Sequence, residues 1–251
     1  MDKLFVCSEW AKNIVLENVK INPNNVHVIP LGVDSTIFSP VTSGRKETVF
    51  FNCGKWEVRK GHDILCEAFD RAFEPEDDVE LWMMCANPFY TQEENYDWER
   101  KYKTSKMGNK VKMIPKQKTQ HSVADIMRTA DCGVFPARAE GWNLELLEMM
   151  SCGKHVIATN YSGHTAFCDE DNCMLVETST LEEAHDGKWF NGEGEWAHIG
   201  DEQIDLIAAY MRDIHALKQG GHLEQNTSGI ETAKRFSWEN SARQIMSIEY
   251  G

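Results

Sequence analysis

Two lysines and two glutamates, each pair placed just after a short apolar run, are the residues of this chain best able to do chemistry. Lys55 and Lys60 follow the run Thr48 to Cys53. Glu140 and Glu148 flank the turn Gly141-Trp142-Asn143, which follows Cys132-Gly133-Val134-Phe135 and Pro136. From Leu144 to Cys152 the residues are mostly apolar helix formers, and Gly153 supplies a stop. Glu140 to Asn143 therefore predicts a tight strand-to-helix turn, with Gly141 letting the backbone bend closely. The first amides of a helix lack internal partners and carry partial positive charge, so such a turn is a ready phosphate site. Carboxylates repel phosphate, so Glu140 and Glu148 are better used on hydroxyl groups. Phosphate and polyhydroxyl together suggest a nucleotide-sugar. The plainer alternatives are solvated cations at a turn, and Glu145 and Glu148 on an exposed helix face at i, i+3 spacing.

The elements that must hold these residues alternate. Leu4 to Cys7 reads as a strand, Ser8 as the cap of a helix to about Lys20 with Trp10, Ile14 and Val15 inward, and Val26 to Ile29 as a strand ended by Pro30. From Thr48 onward, strands are expected at Thr48 to Cys53, Val79 to Met84, Val111 to Ile114, Cys132 to Phe135, His155 to Ala158 and Cys173 to Val176. Helices fall between them, at Gly61 to Phe73, Gln92 to Ser105, Ser122 to Thr129 and Leu144 to Cys152. This α/β pattern predicts a parallel, doubly wound, Rossmann-like sheet that binds ligands at the carboxyl ends of its strands, where Glu140 lies. Gly187 to Gly200 is too irregular for a regular element and reads as a surface loop pinned by Trp189, Phe190 and Trp196. Asp201 to Lys218 is an amphipathic helix, and Ser237 caps a last one with Trp238, Ala242, Ile245 and Met246 on one face.

Composition narrows the classes. The chain has 251 residues, 41% hydrophobic and 26% charged, as in ordinary globular proteins. Its formal net charge of −14 argues against nucleic-acid binding, which relies on a basic surface. A basic run from Arg100 to Lys118 reads as a solvated face, with an anionic acceptor or lipid headgroup as the alternative. No apolar run approaches a transmembrane span and no signal peptide is visible. The eight cysteines fall mostly in apolar segments with no CxxC pair, so they are expected as buried free thiols in a reducing, cytoplasmic compartment. Asp169-Glu170-Asp171 spells a D-x-D triplet but reads as a polar turn, and no metal site is expected.

The stretch from Glu140 to Glu148 resembles the E-G-F-G-x-x-x-x-E signature of family 4 glycosyltransferases, the large retaining GT-B family. Trp142 stands at its Phe, Asn143 at its second Gly, and both acids keep their spacing. Asn52 to Gly61 resembles that family's G-R-L-x-x-x-K-G motif, with Lys55 at the Arg and Lys60 at the Lys. Pro30-Leu31-Gly32-Val33-Asp34 resembles the segment linking the two halves of such enzymes. The resemblance covers about residues 26 to 250 and implies a C-terminal, donor-binding domain at residues 41–251, with residues 1–40 a remnant of the acceptor side and linker. It implies Glu140, Lys55 and Lys60 as catalytic groups, the two lysines on the donor diphosphate and Glu140 on the sugar hydroxyls. It further implies that Gly141 and the amides of Trp142, Asn143 and Leu144 meet the diphosphate or sugar, that Glu148 accepts from the ribose, and that Ile114 and Pro115 lie where the base is laid. Gly32 counts with the substrate-binding set. His164, after Ser162-Gly163, falls in a segment similar to a T-x-x-G-G turn that approaches the donor.

The expected activity is retaining, metal-independent transfer of a sugar, hexosyl in type, from a nucleoside-diphosphate sugar to an unidentified acceptor, with no cofactor. The alternative is a nucleotide-sugar-binding module or subunit without independent turnover. A generic dinucleotide-binding domain is disfavoured because no GxGxxG follows a strand. A partner chain or homodimer is expected to complete the cleft.

Overall fold

The computed structural model describes residues 3–250; Met1, Asp2 and Gly251 lie outside it. The chain begins with a small parallel pair, β1 (Leu4–Val6) and β2 (Val26–Val28), joined by α1 (Glu9–Asn18). Then β3 (Thr48–Gly54), α2 (His62–Ala72), β4 (Val79–Cys85), α3 (Gln92–Lys103), β5 (Val111–Met113), α4 (Gln120–Thr129), β6 (Cys132–Phe135), α5 (Leu144–Ser151), β7 (His155–Thr159) and β8 (Met174–Val176) follow. An antiparallel hairpin, β9 (Leu181–His185) with β10 (Asn191–Ala197), precedes three helices, α6 (Asp201–Gln219), α7 (Thr227–Arg235) and α8 (Trp238–Tyr250).

β3 to β8 form one six-stranded parallel sheet in the order β5-β4-β3-β6-β7-β8. A parallel sheet needs helical crossovers, which cover both faces, so its strands are apolar on both. β3 shows this: Phe50 joins the core under α2 and α6, while Val49, Phe51 and Cys53 join the core under α5. On the first side Leu65, Phe69, Ile207 and Met211 fill the layer; on the second Leu146, Leu147 and Met150 do. The chain winds outward from β3 to β5, then returns to start β6 on the other side of β3. The crevice for a ligand in such a sheet opens where the order reverses, at the carboxyl ends of β3 and β6.

Several local expectations are corrected. Gly187 to Gly200 is no irregular loop. Half of it is β10, the second strand of the β9–β10 hairpin, whose register slips between Asn191 and Glu195, with Gly192 and Gly194 at positive φ. Glycines and a bulge hide the period-2 alternation a strand normally shows. α7, from Thr227 to Arg235, was not expected at all. No residue of α1 is buried, and Ile14 is exposed, so its apolar stripe is not a core face. Trp238, Ile245 and Met246 on α8 are likewise exposed.

Among the described residues no helix is long and apolar enough to cross a membrane. All eight cysteines are free, and all but Cys7 are buried.

Candidate functional site

The loop after β3 and the loop after β6 meet at the reversal point. Gly61 makes the meeting possible. It sits in the left-handed region at φ 71°, and a Cβ there would lie 1.9 Å from the Pro136 carbonyl oxygen. The loop is braced from below by a neutral histidine. His62 is fully buried; its Nδ1 accepts from the Glu57 amide at 3.1 Å and its Nε2 meets Asn52 Oδ1 at 3.0 Å. Burial, reinforced by Lys60, pushes its pKa down to about 3.

On this support Lys60 and Glu140 meet, although they lie far apart in the chain. Lys60 Nζ donates to Glu140 Oε1 at 2.7 Å and lies 3.4 Å from Glu145 Oε1. Arg59 Nη1 is 2.8 Å from Glu140 Oε2. Burial alone would neutralise Glu140, but Lys60 and Arg59 outweigh it and hold the carboxyl down at about 2. Burial also disfavours the charge on Lys60, and Glu140 and Glu145 reverse that, so the ammonium stays charged. Glu140 is thus a fixed acceptor and Lys60 a fixed cation, side by side at the crevice.

The Glu140 turn is locked to the loop after β7. The Glu140 amide donates to Ser162 Oγ at 2.8 Å, and the Gly163 amide donates to the Glu140 carbonyl at 2.8 Å. Ser162 takes φ 73°, and a Cβ on Gly163 would meet the Gly141 carbonyl oxygen at 1.9 Å. His164, buried behind them, has Nε2 at 2.5 Å from the Thr159 carbonyl, which makes Nε2 the protonated nitrogen and leaves Nδ1 without a partner. Trp142 turns inward against Phe167 and Phe236, at 4.9 and 5.4 Å between centroids, and anchors the turn from behind. Asn143 caps α5 in the left-handed region at φ 74°, with its buried Oδ1 unpartnered. The first amides of α5, from Leu144 onward, follow it. Glu148 stands one turn further on. Burial, then Glu145, raises its pKa from 4.5 to about 8, and no cation among the described residues offsets this.

The remaining expected site residues make contacts of their own. Lys55 is half-exposed; its Nζ is 3.1 Å from Glu57 Oε1 and 5.5 Å above the Phe89 ring. Gly32 lies against the backbone of Ser237 and Trp238, where Val33 bridges to Ser237. Ile114 and Pro115 directly follow β5, the edge strand of the sheet, the Ile114 amide donating to the Met83 carbonyl at 2.9 Å. The basic run is largely spent on neighbours: Lys106 on Glu74, Lys112 on Glu80, Arg100 on Asp97. Asp169 and Asp171 form a turn, the Asp171 amide donating to Asp169 Oδ1 at 3.1 Å.

Arg59 and Arg138 are the cations that sequence reasoning undervalued. Arg138 is buried and forks onto Asp63 at 2.9 Å through both Nη atoms, with Nη1 also donating to the Val58 carbonyl at 2.7 Å and Nε 3.3 Å from Glu182 of β9. It ties the loop after β6 to the loop after β3 and to the hairpin. The signal was an arginine two residues past the Pro136 that ends a buried strand, a place where a charge must find partners.

The N-terminal unit contributes too. Ser8 Oγ accepts from the Ala11 amide at 3.1 Å and lies 3.2 Å from the Gly141 carbonyl, so the start of α1 sits on the Glu140 turn.

Residues 47–186 match the family described as glycosyl transferases, group 1. D-inositol 3-phosphate glycosyltransferase of Stackebrandtia nassauensis is 23% identical over 263 residues, covering 100% of this chain and 54% of that protein. A glycosyltransferase from Rickettsia africae superposes with a TM-score of 0.77 at 17% identity, over 98% of this chain and 62% of that one. Anabaena HepE, solved in complex with UDP-glucose, gives 0.73 at 15% identity, over 98% of this chain and 63% of that one. The chain spans about half the length of the curated relatives it matches.

Proposed function

The chain belongs to the group 1 glycosyl transferases, and we propose that it binds a nucleoside-diphosphate sugar at the β3–β6 crevice and serves transfer of the sugar to an acceptor hydroxyl with retention and without a metal ion. The observation that carries this reading is the juxtaposition of Lys60 and Glu140 at the reversal of strand order, beside the start of α5. The diphosphate lies against Lys60, Lys55 and the first amides of α5. The sugar hydroxyls donate to Glu140, which Lys60 and Arg59 keep ionised. The ribose hydroxyls donate to Glu148, whose partly buried carboxyl has no cation beside it among the described residues, and the base lies toward Ile114 and Pro115. Unpartnered buried polar atoms are rare in folded proteins, and four of those here, Trp142 Nε1, Asn143 Oδ1, Thr159 Oγ1 and His164 Nδ1, lie in or directly beside the two interlocked turns.

In the transfer the bond from the anomeric carbon to the diphosphate oxygen breaks, and its electron pair leaves with the nucleoside diphosphate. The acceptor oxygen forms the new bond, and its proton passes to a diphosphate oxygen. Lys60 stabilises the charge that builds on the leaving group, as a preorganised cation should. A hexosyl donor, and a second copy or partner chain completing the cleft, belong to the same proposal.

Calorimetry with UDP, GDP and ADP and their sugars, in EDTA, tests it. Binding of one of these that Lys60→Ala weakens supports the reading; binding that requires added magnesium or manganese refutes it.

A further inference from the structure

A groove of 540 Å³ runs between α1 and the β9–β10 hairpin, with Arg59 and Ala139 in its lining. Both residues touch the donor site: Arg59 Nη1 donates to the Ala139 carbonyl at 2.6 Å and lies 2.8 Å from Glu140 Oε2. One guanidinium therefore separates the groove from the carboxylate assigned to the donor sugar. Trp10 and Ile14 line the α1 side, and Phe190, Glu193 and Glu195 the hairpin side. The aromatic groups are braced. Trp10 meets Tyr161 edge-on at 5.9 Å, and Phe190 rests on buried Trp196 at 5.4 Å.

We propose that this groove holds the acceptor, and that the acceptor is an uncharged polyhydroxyl compound, a sugar or cyclitol without phosphate at the bound ring. The inference rests on the donor reading above. Aromatic faces pack on the CH faces of a sugar ring, and carboxylates accept from its hydroxyls. Glu193 and Glu195 are exposed and in no ion pair among the described residues, so they set a negative rim that repels an anion. The cation in the lining cannot reverse that sign. Arg59 spends Nε and Nη2 on Glu57 Oε2, at 3.0 and 2.8 Å, and Nη1 on Ala139 and Glu140. Trp10, Phe190, Glu193 and Glu195 all lie outside residues 47–186, so the aromatic and acidic walls of the groove come from beyond the shared family stretch, while Arg59 and Ala139 come from within it.

The test is saturation-transfer NMR on the full chain with methyl α-glucoside, myo-inositol, glucose 6-phosphate and inositol 1-phosphate, each with and without UDP. Binding of UDP, GDP and ADP is measured on the same preparation by calorimetry, and the absence of binding by all three would refute the donor reading separately. The expected result is signal from the two neutral compounds and little from their phosphates. Phe190→Ala should cut the neutral signal by about tenfold, the scale of losing one aromatic contact. Glu195→Gln, on an exposed side chain that the fold does not need, should also reduce it, and Glu193→Lys with Glu195→Lys should admit the phosphates, all with UDP affinity unchanged. No signal from either neutral compound, equal signal from the phosphates, or signal indifferent to Phe190→Ala and Glu195→Gln would each overturn the assignment.

Discussion

Consider Glu148→Gln in the ligand-free protein, followed by denaturant unfolding from about pH 4 to about pH 9. Burial, then Glu145, lifts the Glu148 carboxyl from 4.5 to about 8. Below 4.5 the folded and unfolded chains both hold the proton, and the group contributes nothing. Between 4.5 and about 8 the folded chain holds a proton that the unfolded chain has lost, so stability falls as pH rises; above about 8 the full penalty is present. At about 1.36 kcal/mol per pH unit the ceiling is about 5 kcal/mol. Water reaching a partly buried carboxyl lowers this to about 1–3 kcal/mol. The variant should therefore gain on wild type by that amount from the acid to the alkaline end, whatever constant offset the amide brings. Parallel stability curves would refute the argument. The ligand supplies a second reading of the same proton. Ribose hydroxyls donate to the ionised carboxylate, so nucleoside diphosphate binding near neutral pH should release close to one proton from wild type and none from Glu148→Gln. Calorimetry in two buffers of different ionisation enthalpy measures it, and zero release from wild type would remove Glu148 from the ribose.

Three further outcomes are expected. Lys60→Ala should weaken nucleoside diphosphate binding by about 1–3 kcal/mol, the scale of a charge-assisted hydrogen bond, by calorimetry without metal. Glu140→Gln should weaken a nucleotide-sugar but not the bare diphosphate, whereas Glu148→Gln weakens both; equal effects would break the division of labour. Glu140 also contributes stability that is present above 4.5 and lost as pH falls through about 2, so Glu140→Gln should flatten the acid limb of the unfolding curve in that window, by circular dichroism.

The sheet was readable because each strand of a parallel layer is a short apolar run and each crossover a helix-period stripe. Val49 to Phe51 and Ile64 to Ala72 show both signals with no competing pattern. Glu140 and Lys60 were readable as motif members, since each sits where a buried strand ends. Their pairing was not, because a contact across the sheet depends on strand order rather than on spacing. The same limit hid Arg59, which could have pointed to solvent, and Arg138, whose partners Asp63 and Glu182 come from other elements. The hairpin escaped because its glycines and acidic residues carry no apolar alternation. α1 and α8 misled in the opposite sense: a helical stripe says which face is apolar, not whether anything covers it.

The contact of β3 with β6, Phe50 opposite Cys132, also fixes when the site can come into being. Outward winding from β3 to β5 joins neighbours in sequence, but the return to β6 closes a long loop of chain, and that closure must be paid in entropy before any pairing rewards it. Lys60 and Glu140, 80 residues apart, cannot meet earlier. During refolding, recovery of nucleotide binding is then a clock for the longest-range step of sheet assembly, trailing the helical signal and keeping time with burial of the central strands.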